Sequence, residues 1–302
     1  MTLRFGLLGT GHWAAETQAA GLDGHPEIEF VGVWGRDPVK AEALASRYRV
    51  RSFADVDELI GAVDAVAMAL PPDVQAPLAI RAAEAGRHLL LDKPVALDLD
   101  QADRLVQAVT GAGVASLVFV TNRYRPNVQA FVDGAVATGG WSGAQVTFLN
   151  SIFGADSPYA GSSWRRRWGG LWDFAPHPLS VLLPVLGPVV EVTAAHAPHD
   201  TVHAILRHAD AVSTLTVSVN APPAVSIYET VLFGEAGVAR MPEPEGESVD
   251  AFRAAASRLV GNVAAGVRTD PLDVRAGRDT VAVLAAVQAS ADGGGAPQGV
   301  RY

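Results

Sequence analysis

Three side chains stand out for the chemistry their types and spacing allow: Lys93 in LLLDKP, and Asp173 and His177 in GGLWDFAPHPLSVLLPVLG. The second run is apolar and helix-like, yet its start carries a carboxylate and an imidazole among prolines and aromatics. An imidazole titrates near neutrality, at about 6.5 when unperturbed, and so suits a general acid or base. A nearby carboxylate can orient it and stabilise its charged form. A lysine can hydrogen-bond the same oxygen, or carry the proton where burial lowers its pKa. The residues leave open which of Lys93 and His177 moves the proton. Each also has a plainer reading: Asp173 as a helix cap, His177 as a structural histidine, Lys93 as a solvated strand end. Asp173 and His177 are too few ligands for a catalytic zinc site, and no metal is expected. Pro176 and Pro178 suit the first turn of a helix, where missing N–H groups cost little. A residue before proline is pushed away from the αR region. Asp173 is therefore expected just before a helix and His177 in its first turn, with the apolar shaft kinked or stopped near Pro184.

A second cluster lies at the N-terminus. Gly9-Thr10-Gly11-His12-Trp13-Ala14 reads GxGxxA, directly after the apolar run Leu3–Leu8. The first glycine makes a tight turn, the second admits a pyrophosphate, and the small third residue lets a helix pack close to the strand. The helix N-terminus then faces the anion. Context of strand before and helix after makes this a dinucleotide site rather than a plain turn. The next strand ends in VWGRDP. Gly35 stands where an acid for the ribose 2′-hydroxyl is expected, and Arg36 follows. A guanidinium grips phosphate bidentately, so NADP(H) is favoured, with NAD(H) the alternative. Asp37 reads as an N-cap with Pro38 at the first helical position.

These residues need elements to hold them. Apolar strands read at 3–8, 30–34, 65–70, 88–91 and 116–120. Helical patterns at 13–21, 38–48, 74–85 and 99–109 separate them. That alternation implies βαβ units and a parallel sheet covered on both faces. After about residue 121 the pattern changes. Residues 214–219 alternate strictly, and further strands read at 146–153, 189–194, 202–206, 231–233 and 238–241. Helices follow near 249–265 and 274–288. The fold class is α/β: an N-terminal Rossmann doubly wound parallel sheet over residues 1–121, then a C-terminal α+β domain with a large open, mainly antiparallel sheet over 122–302, for substrate and oligomerisation.

Composition narrows the partners. The 302 residues carry a formal charge of −9 and no cysteine, which excludes disulfides and thiol nucleophiles. Arg165-Arg166-Arg167 is too short to follow a nucleic-acid backbone, so no nucleic acid is expected. Residues 1–9 lack the form of a signal peptide, and no apolar run is long enough for a membrane span. A soluble cytoplasmic protein is the expectation. His196, His199, His203 and His208 fall on predicted strand edges and turns and read as solvated. Trp164, Trp168 and Trp172 recur every four residues, as a packed aromatic face or a pocket wall.

Taken together, Gly9, Gly11 and Ala14, then Asp92-Lys93-Pro94, then Gly169-Gly170 with Asp173 and His177, resemble the Gfo/Idh/MocA family of oxidoreductases over essentially the whole chain. The resemblance implies an NAD(P)-dependent dehydrogenase or reductase acting on a sugar, polyol or related hydroxyl compound. It implies Lys93, Asp173 and His177 as the catalytic trio, which also touches substrate. It implies that Pro94 follows a cis peptide bond, that Trp164-Arg165 and the Leu70-Pro71 loop lie near the cofactor, and that Arg123 lies near the substrate. It further implies a homodimer or homotetramer formed through the sheet. Three departures stand out. Asp92 replaces the usual Glu, so its contact must be shorter or bridged by water. Gln75 replaces a common His. Ala175, Pro176 and Pro178 surround His177. Two other readings keep the fold: a regulator that senses dinucleotide without turnover, or an enzyme that retains its cofactor while eliminating or hydrolysing through a transient ketone.

Overall fold

Apolar runs bounded by Gly, Pro and Asp become the strands and helices of the computed structural model, which describes residues 2–302. In chain order these are β1 (Leu3–Leu8), a π-helical stretch (Ala14–Ala19) continuing into α1 (Ala20–Leu22), β2 (Ile28–Trp34), α2 (Pro38–Tyr48), β3 (Arg51–Phe53), α3 (Val56–Ala62), β4 (Ala65–Met68), α4 (Pro72–Glu84), β5 (His88–Asp92), α5 (Leu99–Ala112) and β6 (Ser116–Phe119). A 3-10 turn (Thr121–Tyr124) leads to α6 (Pro126–Thr138), β7 (Trp141–Leu149), α7 (Ser163–Asp173), α8 (Pro176–Leu186), β8 (Val189–Ala197), β9 (Thr201–His208), β10 (Val212–Ser218), β11 (Ile227–Gly234) and β12 (Gly237–Arg240). The chain ends with α9 (Ser248–Ala264), α10 (Val274–Asp292) and β13 (Gln298–Gly299).

The chain divides into two compact units. One holds residues up to Tyr124 together with Gly246–Arg278. Its six strands are all parallel, in the order β3-β2-β1-β4-β5-β6, the doubly wound arrangement that places ligands at the carboxyl ends of the strands. The β4 and β6 strands are buried at every residue, as a sheet covered on both faces requires. Aspartates start its helices: Asp37 accepts from the Val39 and Lys40 N–H groups, and Asp98 from Gln101 N–H. A boundary at 121/122 follows from the change in periodicity, but contacts return Gly246–Arg278 to this unit. The cause is the apolar stripe of α9, where Ala251, Phe252, Ala255, Ala256, Leu259 and Val260 recur at helical spacing and are all buried. Phe252 meets Phe119 edge to face at 5.1 Å. Burying one such ring contributes roughly 1.5–3 kcal/mol.

The other unit, Arg125–Glu245 with Asp279–Tyr302, is built on a seven-stranded sheet in the order β12-β11-β7-β10-β9-β8-β13. Its pairs are antiparallel except β7 with β10, which run parallel with Val212 opposite Gly143. A parallel pair needs a long crossover, and the chain between them supplies α7, α8, β8 and β9. The α7 helix packs on β10 and α8 on β7. Helices α3, α6 and α7 and strand β3 lie outside the sequence expectations. The first two are short or weakly patterned, and α7 is masked by its glycines and tryptophans. Among the described residues no helix is long and apolar enough to cross a membrane.

Alternation along β9 corrects one expectation. Val202, Ala204, Leu206 and His208 face inward, while Thr201, His203, Ile205 and Arg207 do not. His208 is therefore buried, not solvated. Its Nδ1 lies 2.7 Å from Gly187 O and its Nε2 3.0 Å from Ser213 Oγ. One donor and one acceptor satisfy a neutral imidazole. Burial pushes its pKa down, against a smaller opposing effect of the Gly187 carbonyl. His196, by contrast, is exposed and pairs with Asp292 at 2.8 Å, and His199 and His203 are exposed as expected. Burial lowers His25 and His88 as well. Unfolded histidine takes up its proton near 6.5, while folded His208 does so only at lower pH. Stability is thus unaffected above that value and falls as pH drops below it. Urea midpoints measured from pH 7.5 down to pH 5 should decline, and His208→Gln should make the decline shallower; an unchanged slope would contradict a buried neutral His208.

Candidate active site

The glycine loop occupies the carboxyl end of β1. Gly9 has φ +130°, and a β-carbon there would lie 2.4 Å from the Ala69 carbonyl oxygen. Only glycine permits β1 to leave the sheet this close to the end of β4. Beyond the turn, a β-carbon on Gly11 would meet nothing within 4 Å, so backbone is open to close approach by a ligand. Ala14 is fully buried, while His12 is exposed and Trp13 half-buried. Trp13 stacks on Phe119 at 6.2 Å. The loop therefore fits a pyrophosphate at a helix start.

At the end of β2, a β-carbon on Gly35 would lie 2.5 Å from the Thr10 methyl carbon. The glycine loop itself occupies the space that an acidic side chain would need. Arg36, next in the chain, is exposed and has no hydrogen-bond or ion-pair partner among the described residues. Asp37 is the N-cap of α2, as its place before Pro38 predicts. Leu70 and Pro71 are half-buried between β4 and α4, with Pro71 at the N-cap of α4. Arg123 lies in the 3-10 turn and is 5% exposed.

Lys93 follows β5, and the Lys93–Pro94 peptide bond is cis. The turn that carries it is clamped by Gln75 of α4, a fully buried side chain. Gln75 Nε2 donates to the carbonyls of Asp92 at 2.8 Å and Pro94 at 3.2 Å, and its Oε1 accepts from Asp92 N–H at 2.9 Å. The sequence marks Gln75 only as a departure from the family pattern. Its signal was a polar residue at an inward position of an apolar helix.

Within the other unit lie Trp164, Arg165, Asp173 and His177. A backbone of φ 63°, ψ −164° at Gly169 breaks α7 in two, so the three tryptophans do not share one continuous helical face. Trp168 and Trp172 still meet edge to face at 5.5 Å. Arg165, before the break, donates from Nε to Asp173 Oδ2 at 2.9 Å, after it. The two side chains are 19% and 5% exposed. The Arg165 guanidinium also lies over the rings of Tyr159 and Trp164, 4.4 and 4.6 Å from their centroids. Arg165 is thus joined to the Asp173 carboxylate.

His177 occupies the first turn of α8, as expected, with Phe148 6.1 Å away. Ala175 stays in the αR region although Pro176 follows it. Its N–H donates to Gly170 O and its carbonyl accepts from Leu179 N–H, and these bonds outweigh the steric bias against αR before proline. Helical backbone thus persists between Asp173 and His177. The helix ends at Leu186, close after Pro184, as expected.

The clamp on the Lys93 turn predicts a stability effect. Gln75→Leu keeps the volume but leaves Asp92 and Pro94 with buried polar groups unmet. Urea denaturation should show a loss of about 1–3 kcal/mol; an unchanged midpoint would mean that water replaces the carboxamide.

Comparison with known proteins bears on the family and the fold. A family model described as an oxidoreductase family with an NAD-binding Rossmann fold matches residues 3–120. A second, described as a Gfo/Idh/MocA C-terminal domain, matches residues 144–240. An uncharacterized oxidoreductase of Rhizobium meliloti, ORF334, is 30% identical over 216 residues, 70% of this chain and 64% of that protein. The inositol 2-dehydrogenase of Rhizobium meliloti (strain 1021) is 30% identical over 201 residues, 65% of this chain and 59% of that enzyme. The chain thus spans less than two thirds of the length of either relative. The crystal structure of GenD2 from gentamicin A biosynthesis, in complex with NAD, superposes with a TM-score of 0.86 at 21% identity, covering 100% of this chain and 97% of that one; at that identity the likeness is one of fold. With both of its halves matched by models of one family, the chain belongs to the Gfo/Idh/MocA oxidoreductases.

Proposed function

We propose that the protein is an NAD(P)-dependent oxidoreductase that interconverts a hydroxyl and a carbonyl on a sugar, polyol or related small molecule. The observation that carries this reading is the Gly9–Ala14 turn, with its backbone open at Gly11 and a helix beginning beyond it. A bound nicotinamide supplies hydride exchange with a carbinol carbon. Gly9, Thr10, Gly11, His12, Trp13 and Ala14 hold the pyrophosphate and adjoining ribose, with Leu70, Pro71, Lys93, Pro94, Trp164 and Arg165 assigned to the rest of the cofactor. Arg36 takes the 2′-phosphate of NADP(H), since Gly35 leaves no carboxylate for a free 2′-hydroxyl. NAD(H) is the alternative, and the matched family model is described by NAD binding.

Lys93 and His177 are assigned to the substrate hydroxyl, where one donates a hydrogen bond and the other holds or moves its proton. Asp173 supports the imidazolium, and Arg165 keeps a fixed positive charge beside that carboxylate. Arg123 is assigned to substrate. A polyol substrate is supported by the inositol 2-dehydrogenase relative. A homodimer or homotetramer is supported by apolar residues left exposed on the large sheet, Val190, Ile205, Val212, Phe233 and Val238. The proposed setting is the cytoplasm, with its nicotinamide pool.

Two measurements test this. In a fluorescence titration NADPH should bind more tightly than NADH. Arg36→Gln should weaken NADPH by about 10–100-fold, the equivalent of a lost charged hydrogen bond, and leave NADH nearly unchanged. Equal or tighter binding of NADH by the wild type would overturn the assignment of Arg36. With the preferred cofactor and a panel of polyols and sugars, His177→Asn and Lys93→Met should each lower kcat by about 10²–10⁴-fold, with cofactor affinity retained in the His177 variant. Tight binding without turnover of any polyol or sugar would instead favour a dinucleotide sensor.

A further inference from the structure

The break in α7 sets where Asp173 points, and something outside the helix must hold it. Gly170 opens the helical segment after the break. Its carbonyl accepts from the N–H groups of Phe174 and Ala175, while its own N–H points out of the segment. That N–H donates to Asp200 Oδ2 at 3.0 Å. Asp200 lies 30 residues away in sequence, in the turn between β8 and β9. His199 and Asp200 both adopt left-handed backbone, with φ of 62° and 57°, a conformation Asp and Asn tolerate better than most residues.

The fit is close on every side. A β-carbon on Gly169 would lie 2.4 Å from both carboxylate oxygens of Asp200. One on Gly170 would lie 2.7 Å from the Ser218 α-carbon. Ser218 Oγ in turn donates to the His199 carbonyl at 2.6 Å and accepts from Asn220 N–H at 3.0 Å. The end of β10, the β8–β9 turn and the start of the helical segment are thus pinned together. Asp173 sits three residues beyond Gly170 and bonds back across the break to Arg165.

We propose that Asp200 is a positioning residue: as the cap on Gly170 N–H, it fixes the helical segment that presents Asp173 and leads into His177. Asp200 touches neither side chain among its hydrogen bonds given above; it acts through the backbone. An N-cap carboxylate of this kind holds a helix start in one orientation. The kinetic consequence rests on the oxidoreductase reading, whereas the structural one does not.

Two variants of the full chain separate the carboxylate's role from that of the turn. Asp200→Asn keeps a carbonyl acceptor and tolerates left-handed backbone. Asp200→Gly keeps the backbone freedom and removes the acceptor. In Asp200→Gly, hydrogen exchange at the Gly170 amide should rise about tenfold, with β8 amides unaffected. Its kcat on a polyol substrate should fall about tenfold, the rate equivalent of one lost cap, with NADPH affinity within about twofold. Asp200→Asn should stay within about threefold of wild type in all three. Unchanged Gly170 exchange in Asp200→Gly overturns the proposal, as does an Asp200→Asn variant that falls as far as Asp200→Gly. A wild type that turns over no polyol or sugar counts against the oxidoreductase reading, and Gly170 exchange then still decides the role of Asp200.

Discussion

The approach of the Gly9 backbone to the Ala69 carbonyl governs the parallel-sheet unit. With a β-carbon excluded by a 2.4 Å contact, β1 turns out of the sheet at once, and the helix that follows starts at the sheet's carboxyl edge. The same turn sets Thr10 against Gly35. A side chain at position 35 would have to displace the Thr10 side chain, so the same packing that orders the glycine loop leaves little room there for a carboxylate. The proposed 2′-phosphate contact itself rests on Arg36.

In the other unit the governing interaction is an ion pair across a broken helix. Arg165 and Asp173 are mostly withdrawn from water. Such a pair gives little net stability, because desolvation offsets the attraction, yet losing one partner typically costs about 3–5 kcal/mol. A pair built that way is poor evidence for a stability device and better evidence for a placed charge. The stacking of the same guanidinium over Tyr159 and Trp164 supports that view, since a planar guanidinium stacks on aromatic faces more often than an ammonium does.

Features carried by local chemistry were legible in the sequence. GxGxxA after an apolar strand, Asp37 before Pro38, and His177 in the first turn of an apolar helix all lie where their neighbours imply; Asp173 instead ends α7, with αR backbone continuing toward His177. The alternation of Thr214–Val217 in β10 was legible as well, whereas the inward place of His208 in β9 was hidden by the polarity of histidine. Features that depend on contacts distant in sequence were not legible. No local signal says that β7 pairs parallel with β10 across two helices and two strands. None says that α9 packs with the unit formed mainly by residues before 125, or that a turn at Asp200 meets Gly170. The bond from Arg165 to Asp173 shows the same limit, because it crosses a helix break that only a glycine φ of 63° reveals.

Two departures from the family pattern prove to be one device. Read separately, Gln75 and Asp92 each look like a loss: a ring exchanged for an amide, a longer acid for a shorter one. In the structure Asp92 Oδ1 accepts from Lys93 N–H at 2.8 Å, a reach suited to the shorter side chain. Its backbone is held from the other side, because Gln75 bonds both its N–H and its carbonyl. A carboxamide carries donor and acceptor on one carbon and can serve both groups of a single residue. A neutral imidazole also has its donor and acceptor nitrogens on one carbon, but they point away from each other and so cannot both face the peptide groups of one residue. An acid that turns back onto Lys93 N–H and an amide that grips the acid's own peptide groups together fix the backbone of the lysine turn at 92 and 94. Changing position 75 to histidine alone would release one half of that arrangement while the other stayed shortened.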